Sequence, residues 1–294
     1  MSIAEKQDVT ELIALAKRED LGTGDLSSQL LADATERVAF ALTVKQPGIL
    51  AGCEIAQPVL AAYDGSIEIA WSSAGQDGAK IDAPPTQIAT VTGPVGAVLA
   101  AERVLLNFLQ RLSGVATKTR AFVDAVADTD AKVFDTRKTT PGWRLLEKYA
   151  VRCGGGSNHR HGLFDAVLIK DNHLHGVATD RLAATVFEML NRLEARKVKP
   201  SFVQIEACSM DQVEQLLKIV GIDVILLDNF SLDQLREAVA WRNELGLGGK
   251  IELEASGGID LDTVRAVAQT GVDRVSVGAL THSAVALDIS LDRI

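Results

Sequence analysis

Cations and histidines are concentrated in the middle of this chain. Between Arg137 and Lys170 there are seven Lys or Arg residues and only two acidic residues, although the whole protein has a formal net charge of −9. Four of the five histidines lie in or just after this stretch: His159, His161, His173 and His175. Because like charges repel, the cluster is explained most simply by a ligand with several negative charges, held in a cleft that focuses the field.

The basic residues of this stretch combine two kinds of cation. Arginine binds a carboxylate through a planar fork, whereas lysine supplies a compact point charge, and the mixture suits a small ligand that carries carboxylates. The alternatives are a solvated basic face or internal ion pairs. The histidine spacing also permits a metal site, but no cysteine pair is spaced for zinc and no metal ligand is assigned firmly. The candidate ligand-binding cations are Arg137, Lys138, Arg160 and Lys170.

Polar residues follow each of six short apolar runs in the second half of the chain. In a β/α barrel the active site lies at the C-terminal ends of the strands. Six polar strand ends in succession therefore predict an active-site opening that is lined by polar side chains. Glu206 and Asp228 end neighbouring strands and could hold ribose hydroxyls or a hydrated Mg²⁺, with a structural ion pair as the alternative. The six strand ends are 135–138, 170–173, Glu206, 228–229, 256–258 and Gly278.

Two glycine-containing loops follow the last two of these runs. Ser256, Gly257 and Gly258 precede a helix expected to begin near Asp260, and Gly278 follows Ser276 and Val277 in the next unit. Glycines let backbone N–H groups approach an anion, and a helix N-terminus favours negative charge. Paired late loops are a frequent phosphate site in β/α barrels, although each loop alone could be an ordinary turn.

The polar strand ends and the glycine loops can meet at one edge only if their strands form a parallel sheet. Near-continuous apolar runs that alternate with helix-length amphipathic segments are typical of βα units. A closed or nearly closed barrel is favoured over an open sheet. The six predicted strands are Lys132–Phe134, Ala166–Ile169, Phe202–Ile205, Val224–Leu227, Ile251–Glu254 and Arg274–Val277.

The first part of the chain has a different, α+β pattern. Residues 1–112 are predicted to form one domain and residues 113–283 the barrel, and the strand-like tail 284–294 is a candidate to complete the first domain. The predicted strands are Val38–Val44, Ile67–Trp71 and Ile88–Val91. The predicted helices are Val9–Glu19, Glu54–Ala62 and Val98–Arg111.

Composition excludes several classes of protein. An apolar content of 47% supports a proper core, and the chain has neither an apolar run long enough to span a membrane nor a signal-peptide core. The acidic balance argues against nucleic-acid binding. Cys53, Cys153 and Cys208 are far apart, which predicts reduced thiols and a cytoplasmic protein.

Long motifs give the chain a family resemblance. DTRKTTPG, VRCGGGSNHRHGLFDAVLIKDNH, ILLDNF, EASGG and VGALTHS resemble quinolinate phosphoribosyltransferase, as do EDLGTGDLSS and AERVLLNFLQRLSGVAT. The similarity runs from about residue 15 to residue 290. It implies an N-terminal α+β domain followed by an incomplete or irregular β/α barrel. It also implies conversion of quinolinate and phosphoribosyl pyrophosphate, with Mg²⁺, to nicotinate mononucleotide, pyrophosphate and CO₂ in NAD biosynthesis.

The resemblance also assigns roles to residues. Arg137, Lys138, His159 and Arg160 are expected to hold the quinolinate carboxylates, and Lys170 to face the reacting centre. The proposed catalytic groups are Lys170, Glu206 and Asp228, the last two contacting the ribose with Mg²⁺ nearby. Arg103 is expected to enter the site from the partner subunit of a homodimer, which could assemble further into a hexamer. The remaining expected substrate-binding residues are Thr136, Ser256, Gly257, Gly258, Ser276, Val277, Gly278 and His282.

Three other functions fit some of the same features. A related transferase could use nicotinate, although two carboxylates require more cations than one. A Schiff-base aldolase could use Lys170, which would need a lowered pKa in an apolar pocket. A non-catalytic sensor of pyridine nucleotides would bind without turnover.

Overall fold

The computed structural model describes residues 2–294, which divide into two compact units. The first unit consists of residues up to Arg120 together with 138–156 and 279–294, and the second of 121–137 and 157–278. Segment 138–156 therefore lies in the first unit, whereas the sequence analysis assigned it to the barrel. The domain boundary near residue 112 stays a prediction.

The regular elements are numbered in chain order. The strands are β1 (Arg37–Val44), β2 (Gly48–Ile49), β3 (Glu68–Trp71), β4 (Lys80–Ile81), β5 (Thr86–Pro94), β6 (Lys132–Phe134), β7 (Val167–Ile169), β8 (Val203–Ala207), β9 (Val224–Asp228), β10 (Glu252–Ser256), β11 (Arg274–Ser276) and β12 (Ile289–Arg293). The helices are α1 (Gln7–Leu21), α2 (Cys53–Tyr63), α3 (Val95–Ala125), α4 (Arg144–Cys153), α5 (Thr179–Ala195), α6 (Met210–Leu216), α7 (Leu232–Glu244), α8 (Val264–Ala268) and α9 (Ala279–His282).

The first unit is built on an antiparallel sheet in the order β12-β1-β5-β3, with β2 and β4 forming a separate pair. Strand β1 alternates, and its side chains Phe40, Leu42 and Val44 are buried. Strand β12, from the end of the chain, pairs along β1 from Ile289 to Arg293. Burial of one face of β1 fixes this register, because a slip of one residue would expose its apolar side chains.

The second unit contains the six-stranded parallel sheet, in the order β6-β11-β10-β9-β8-β7. The first and last strands of the set are thus neighbours, as in a barrel. On the opposite side of β6, Ser157 forms a parallel bridge with Phe134 in place of a full strand. The sheet confirms the predicted irregular barrel and its six strands, and the irregularity lies between β6 and β7.

The two faces of this sheet differ in chemistry. The outward side chains are apolar, and Ile205, Ile225, Leu253 and Val275 are fully buried. Helices α5–α8 alternate with these strands, with α6 packed on β8 and α8 on β11. Successive side chains of a strand point to opposite faces, and the inward side chains of β8 and β10 are polar: Gln204, Glu206, Glu254 and Ser256. The prediction of near-continuous apolar strands holds for Val167–Ile169 and Val224–Leu227 and is wrong for β8 and β10.

The longest helix, α3, has 31 residues. Across residues 2–294, no helix combines the length and the apolar character needed to cross a bilayer. Cys53, Cys153 and Cys208 are free thiols.

Candidate active site

A lysine and a glutamate meet at the carboxyl ends of β7 and β8. The two strands pair in register at Ile169 and Ile205, so the residues that follow, Lys170 and Glu206, lie side by side on the inner face. Lys170 Nζ is 3.3 Å from Glu206 Oε2, and the Lys170 side chain is 49% exposed whereas that of Glu206 is 7% exposed. The pair therefore presents a cation at the rim, backed by a buried carboxylate.

Asp228 lies on the next strand and is held by its neighbour in sequence. Asn229 Nδ2 donates to Asp228 Oδ2 at 2.8 Å, and the backbone N–H of Asn229 donates to the carbonyl of Ser256 at 2.9 Å. Asn229 adopts a left-handed conformation with φ 58°, which asparagine tolerates better than most residues. The Asp228 carboxylate and the Ser256 loop are consequently linked through one residue.

The loop after β10 has the backbone geometry that only glycine accommodates well. Gly257 has φ +102°, and a Cβ at this position would lie 2.1 Å from Asn229 Oδ1. Gly258 has φ +59° with nothing within 4 Å of its Cβ position. The helix expected near Asp260 begins only at Val264 and has five residues. The prediction of a helix N-terminus directly behind this loop was therefore wrong, and the predicted anion site now depends on the glycine backbone of the loop alone.

The second predicted loop follows β11. Ser276 and Val277 are buried, and Ser276 is paired with Phe134 of β6. The backbone N–H of Val277 donates to the carbonyl of Phe134 at 2.9 Å, which brings the start of this loop beside the end of β6. Thr136 and Arg137 follow β6 directly, so the loop at Gly278 and the first basic residues start from adjacent strands.

Segment 157–160, which begins with the bridge of Ser157 to β6, contains two further residues of the basic cluster, His159 and Arg160. Asp135 is fully buried, and its carboxylate accepts from Asn158 Nδ2 at 2.6 Å and from the backbone N–H of His159 at 2.8 Å. These bonds fix residues 157–160 against the barrel. Arg160 follows and is only 8% exposed.

The electrostatics around Arg160 point to an anion. Burial, together with the like charge of Arg137, lowers the pKa of the Arg160 guanidinium, and Asp165 offsets this only in part. The Asp165 carboxylate is itself occupied, since it accepts the backbone N–H groups of His161 at 2.7 Å and Gly162 at 2.9 Å. Two guanidiniums that repel each other in a partly desolvated position would gain from a ligand with negative charge between them.

Two histidines of the cluster, His159 and His173, form hydrogen bonds within the protein. His159 Nε2 lies 2.7 Å from Gln204 Oε1, and His173 Nδ1 accepts the backbone N–H of Lys170 at 2.9 Å. Within residues 2–294, no group of three or more His, Cys, Asp or Glu side chains is arranged to hold a metal ion.

The barrel unit thus contains most of the expected site residues, and the other unit contains three. Residues of the barrel unit are Thr136, Arg137, His159, Arg160, Lys170, Glu206, Asp228, Ser256, Gly257, Gly258, Ser276, Val277 and Gly278. Those of the first unit are Arg103, Lys138 and His282. Arg103 lies on α3 with a 60% exposed side chain. The carbonyl of Lys138 accepts a hydrogen bond from Thr281 Oγ1 at 2.7 Å, beside His282.

Sequence reasoning missed a polar layer one pleat below the rim. Gln204 and Glu254 are fully buried on the inner face, two residues before Glu206 and Ser256. The alternation of polar and apolar residues in VQIEA and ELEAS was the signal that could have revealed them. These strands were interpreted as apolar runs with polar ends, so the inner residues went unnoticed.

Comparisons with known proteins agree with this architecture. The family model for the C-terminal domain of quinolinate phosphoribosyl transferase matches residues 115–292, and that for its N-terminal domain matches residues 25–113. The chain is 41% identical to a probable nicotinate-nucleotide pyrophosphorylase [carboxylating] of Bacillus subtilis, over 93% of this chain and 89% of that protein. It is 39% identical to the nicotinate-nucleotide pyrophosphorylase [carboxylating] of Mycobacterium leprae, over 99% of both chains.

Solved structures give the same result. The nicotinate-nucleotide pyrophosphorylase from Francisella tularensis superimposes with a TM-score of 0.88 at 38% identity, covering 100% of this chain and 99% of that one. Human nicotinic acid phosphoribosyltransferase shares only the fold, with a TM-score of 0.57 and 13% identity over 99% of this chain and 74% of that one. With two domain models covering most of its length and close relatives along all of it, this chain belongs to the quinolinate phosphoribosyl transferase family.

Proposed function

We propose that this protein transfers the phosphoribosyl group of phosphoribosyl pyrophosphate to quinolinate, with loss of CO₂, to give nicotinate mononucleotide and pyrophosphate for NAD biosynthesis. The observation that carries this proposal is the largely buried guanidinium of Arg160, which is repelled by the like charge of Arg137, in a barrel that also carries a glycine loop. Quinolinate is a dianion with adjacent carboxylates, and it would relieve the repulsion between these arginines. Thr136, Lys138 and His159 complete the proposed quinolinate pocket.

The proposed transfer begins at C1 of the ribose. As the C1–O bond to pyrophosphate breaks, the anomeric carbon gains cationic character, and carboxylates placed beside it stabilise that charge. Glu206 and Asp228 lie on adjacent strands and would contact the ribose hydroxyls. The ring nitrogen of quinolinate then forms the new bond to C1. This nitrogen is a weak nucleophile, so its orientation by the arginines would contribute much of the acceleration.

Decarboxylation follows from the charge created by the transfer. The alkylated ring nitrogen is positive, so the electron pair left on C2 when CO₂ departs is stabilised by the adjacent N⁺, and a proton then replaces the lost carboxylate. The protein needs only to hold the ring and balance its charge. Lys170, half-exposed and paired with Glu206, would face the reacting centre.

The ribose phosphate would bind at the glycine loops. Ser256, Gly257 and Gly258 supply backbone N–H groups and a hydroxyl on β10, and Ser276, Val277 and Gly278 end the neighbouring strand β11. His282, which follows in the chain, would support the phosphate. The two loops follow β10 and β11, which are adjacent parallel strands. Loops after the last strands of a β/α barrel frequently form its phosphate site.

Mg²⁺ fits these residues as an ion that arrives with phosphoribosyl pyrophosphate. Magnesium is usually bound by one or two carboxylates together with substrate phosphates and water. Glu206 and Asp228 are two carboxylates at one rim, and each also has a protein partner, Lys170 and Asn229. When bound, the ion would neutralise charge on the departing pyrophosphate.

A Schiff-base reaction at Lys170 is disfavoured by the same contacts. A nucleophilic lysine needs a desolvated amine in an apolar pocket. Lys170 is half exposed and lies 3.3 Å from a carboxylate oxygen of Glu206.

The proposal is tested by release of labelled CO₂ from quinolinate that carries ¹⁴C in its C2 carboxylate. Release that requires both phosphoribosyl pyrophosphate and Mg²⁺, and stops on chelation with EDTA, is the expected result. Turnover of nicotinate without release from quinolinate would replace the proposal by the sister activity. Binding of nicotinate mononucleotide without turnover would identify a sensor.

We also propose that the protein acts as a cytoplasmic homodimer in which Arg103 of one subunit completes the site of the other. Its exposed side chain is available to a second molecule. Mixing inactive Arg103→Ala and Arg160→Ala dimers under exchange conditions should restore activity, because hybrid dimers contain one intact site. No recovery, with exchange verified by mass, would contradict the shared site.

A further inference from the structure

Arg111, on α3, makes side-chain contacts with two other segments of the first unit. Its Nη2 donates to the carbonyl oxygen of Thr281, and its Nη1 donates to the carbonyl oxygen of Ala284 at 2.9 Å. Its Nη2 and Nε also contact Oε1 of Glu147, at 2.6 Å and 3.2 Å. Glu147 is fully buried and the Arg111 side chain is 25% exposed. Because a guanidinium offers several donors in fixed directions, this one residue joins three segments.

Glu147 extends the connection to the basic cluster. Its Oε2 accepts the backbone N–H of Thr140 at 3.0 Å, and its Oε1 accepts the Thr140 hydroxyl at 2.9 Å. Thr140 lies two residues after Lys138. The Thr281 hydroxyl in turn donates to the carbonyl oxygen of Lys138 at 2.7 Å. Together with the contacts of Arg111, these hydrogen bonds form a closed ring.

The ring holds the backbone of two residues with exposed side chains, Lys138 and His282. Thr281, directly before His282, is fully buried. Lys138 and Ala279 are the first residues of the first unit after the chain leaves the barrel unit at two of the proposed site loops. The ring therefore fixes the backbone next to both loops while the side chains of Lys138 and His282 stay accessible to ligands.

His282 depends on this support because the helix that contains it is very short. Helix α9 has four residues, and a single helical turn is unfavourable by itself. The last carbonyls of a helix also lack partners within it and favour a nearby cation. Arg111 supplies that cation and holds the carbonyls of Thr281 and Ala284, which lie before and after His282 in the chain.

We propose that Arg111 is a positioning residue for both substrates. Its guanidinium holds the backbone of His282 for the phosphate, and through Glu147 and Thr281 it holds the backbone of Lys138 for a quinolinate carboxylate. The inference rests on the proposed function for the identity of the two ligands. Arg111 acts through these residues, because each nitrogen of its guanidinium already has a partner in the protein.

Two variants separate the two connections. Thr281→Val removes the hydroxyl bond to Lys138 and leaves the carbonyl held by Arg111. KM for quinolinate should rise about five-fold, and KM for phosphoribosyl pyrophosphate should stay unchanged. Arg111→Lys keeps a positive charge beside Glu147 but lacks the planar fork. Both KM values should therefore rise, each about ten-fold.

Thr119→Val is the matched control. It removes a buried hydroxyl from α3, where Thr119 Oγ1 donates to the carbonyl oxygen of Val115 at 2.8 Å, and it should change neither KM. Lower unfolding midpoints with unchanged KM values in Arg111→Lys and Thr281→Val would show that the ring serves stability alone and would overturn the proposal. A wild-type KM for phosphoribosyl pyrophosphate in Arg111→Lys would also overturn it, because His282 would then be positioned without Arg111.

The threonine variants keep every charge and protect the test against misfolding. If Arg111→Lys does not fold, the double variant of Thr140→Val and Thr281→Val takes its place, since it removes two hydrogen bonds that hold the segment of Lys138. KM for quinolinate should then rise more than in Thr281→Val. An unchanged KM for quinolinate would overturn the proposal.

Hydrogen exchange of the ligand-free protein examines the ring independently of the proposed function. In Arg111→Lys the backbone amides of 138–147 and of 279–287 should both exchange faster, while those of β1 stay unchanged. Faster exchange in only one of these two segments would overturn the proposal. Failure of the wild-type protein to turn over quinolinate would remove the proposed function, and the exchange measurement would still decide whether Arg111 holds both segments.

Discussion

Replacing Gly257 by alanine should weaken binding of phosphoribosyl pyrophosphate far more than the same change at Gly258. The two glycines are adjacent and both have positive φ, +102° and +59°. They differ in their surroundings, because a Cβ on Gly257 would lie 2.1 Å from Asn229 Oδ1 whereas one on Gly258 would meet nothing within 4 Å. Gly258→Ala is therefore a matched control for backbone strain.

The size of the effect follows from these contacts. Left-handed backbone costs a non-glycine residue about 1–2 kcal/mol, and this term applies to both variants. At Gly257 the new methyl also displaces Asn229, whose amide donates to Asp228 at 2.8 Å, and loss of such a bond adds about 1–1.5 kcal/mol. The loop escapes the contact by moving, so the cost falls on ligand binding rather than on global stability. We expect about 2.5 kcal/mol in total for Gly257→Ala, roughly 60-fold in affinity.

The assay is the KM for phosphoribosyl pyrophosphate at saturating quinolinate, with thermal unfolding as the check on folding. Gly258→Ala should lose about ten-fold or less, as expected from strain alone. Equal KM values for the two variants would refute the assignment of Asn229 as the residue that limits this loop. A larger effect on KM for quinolinate than on that for phosphoribosyl pyrophosphate would refute the phosphate site itself.

Three other predictions concern separate parts of the molecule. Glu206→Gln should lower kcat about 100-fold with little change in the unfolding midpoint, because it removes a carboxylate beside the reacting carbon, and an unchanged kcat would rule out this role. Burial raises the pKa of Cys153 to about 12 and also raises the pKa of Cys53, so both thiols stay protonated at pH 8. A disulfide reagent should therefore modify the exposed Cys208 first. Equal rates of modification at all three cysteines would contradict this prediction. Glu147 is fully buried and lies 2.6 Å from Nη2 of Arg111; Glu147→Leu should lower the free energy of unfolding by about 3 kcal/mol in urea denaturation, since it leaves Arg111 without this carboxylate, and a loss below about 1 kcal/mol would mean that the pair contributes little.

The rim of the barrel was predictable from sequence because it depends on local signals. Each strand is a short run of apolar residues, and the residue after it must lie at the carboxyl edge whatever its neighbours are. Glu206 and Asp228 were located in this way, and their strands are adjacent. Pairs such as Lys170 with Glu206 required the register between strands, which a single segment does not specify.

Helix α3 shows how a local signal can mislead. The helical pattern was predicted to end at Arg111, yet the helix continues to Ala125. Gly114 serves packing, because a Cβ there would lie 2.0 Å from the carbonyl oxygen of Val285. The local sequence pattern does not reveal that a distant segment packs closely against this position. A glycine within a helical pattern therefore argues against a continuous helix, although here the helix continues.

The irregular side of the barrel explains why the basic cluster and the buried polar layer occur together. Ser157 makes only a bridge to β6, so the segment after it is free of strand geometry and can direct His159 into the interior. There the imidazole meets Gln204 and Glu254, whose polar side chains would be unsuitable for an apolar barrel core. A regular strand at this place would instead alternate its side chains and send Arg160 or His159 to the outer face. Loss of one regular pairing thus frees this segment from strand alternation, so two consecutive residues, His159 and Arg160, are both largely buried.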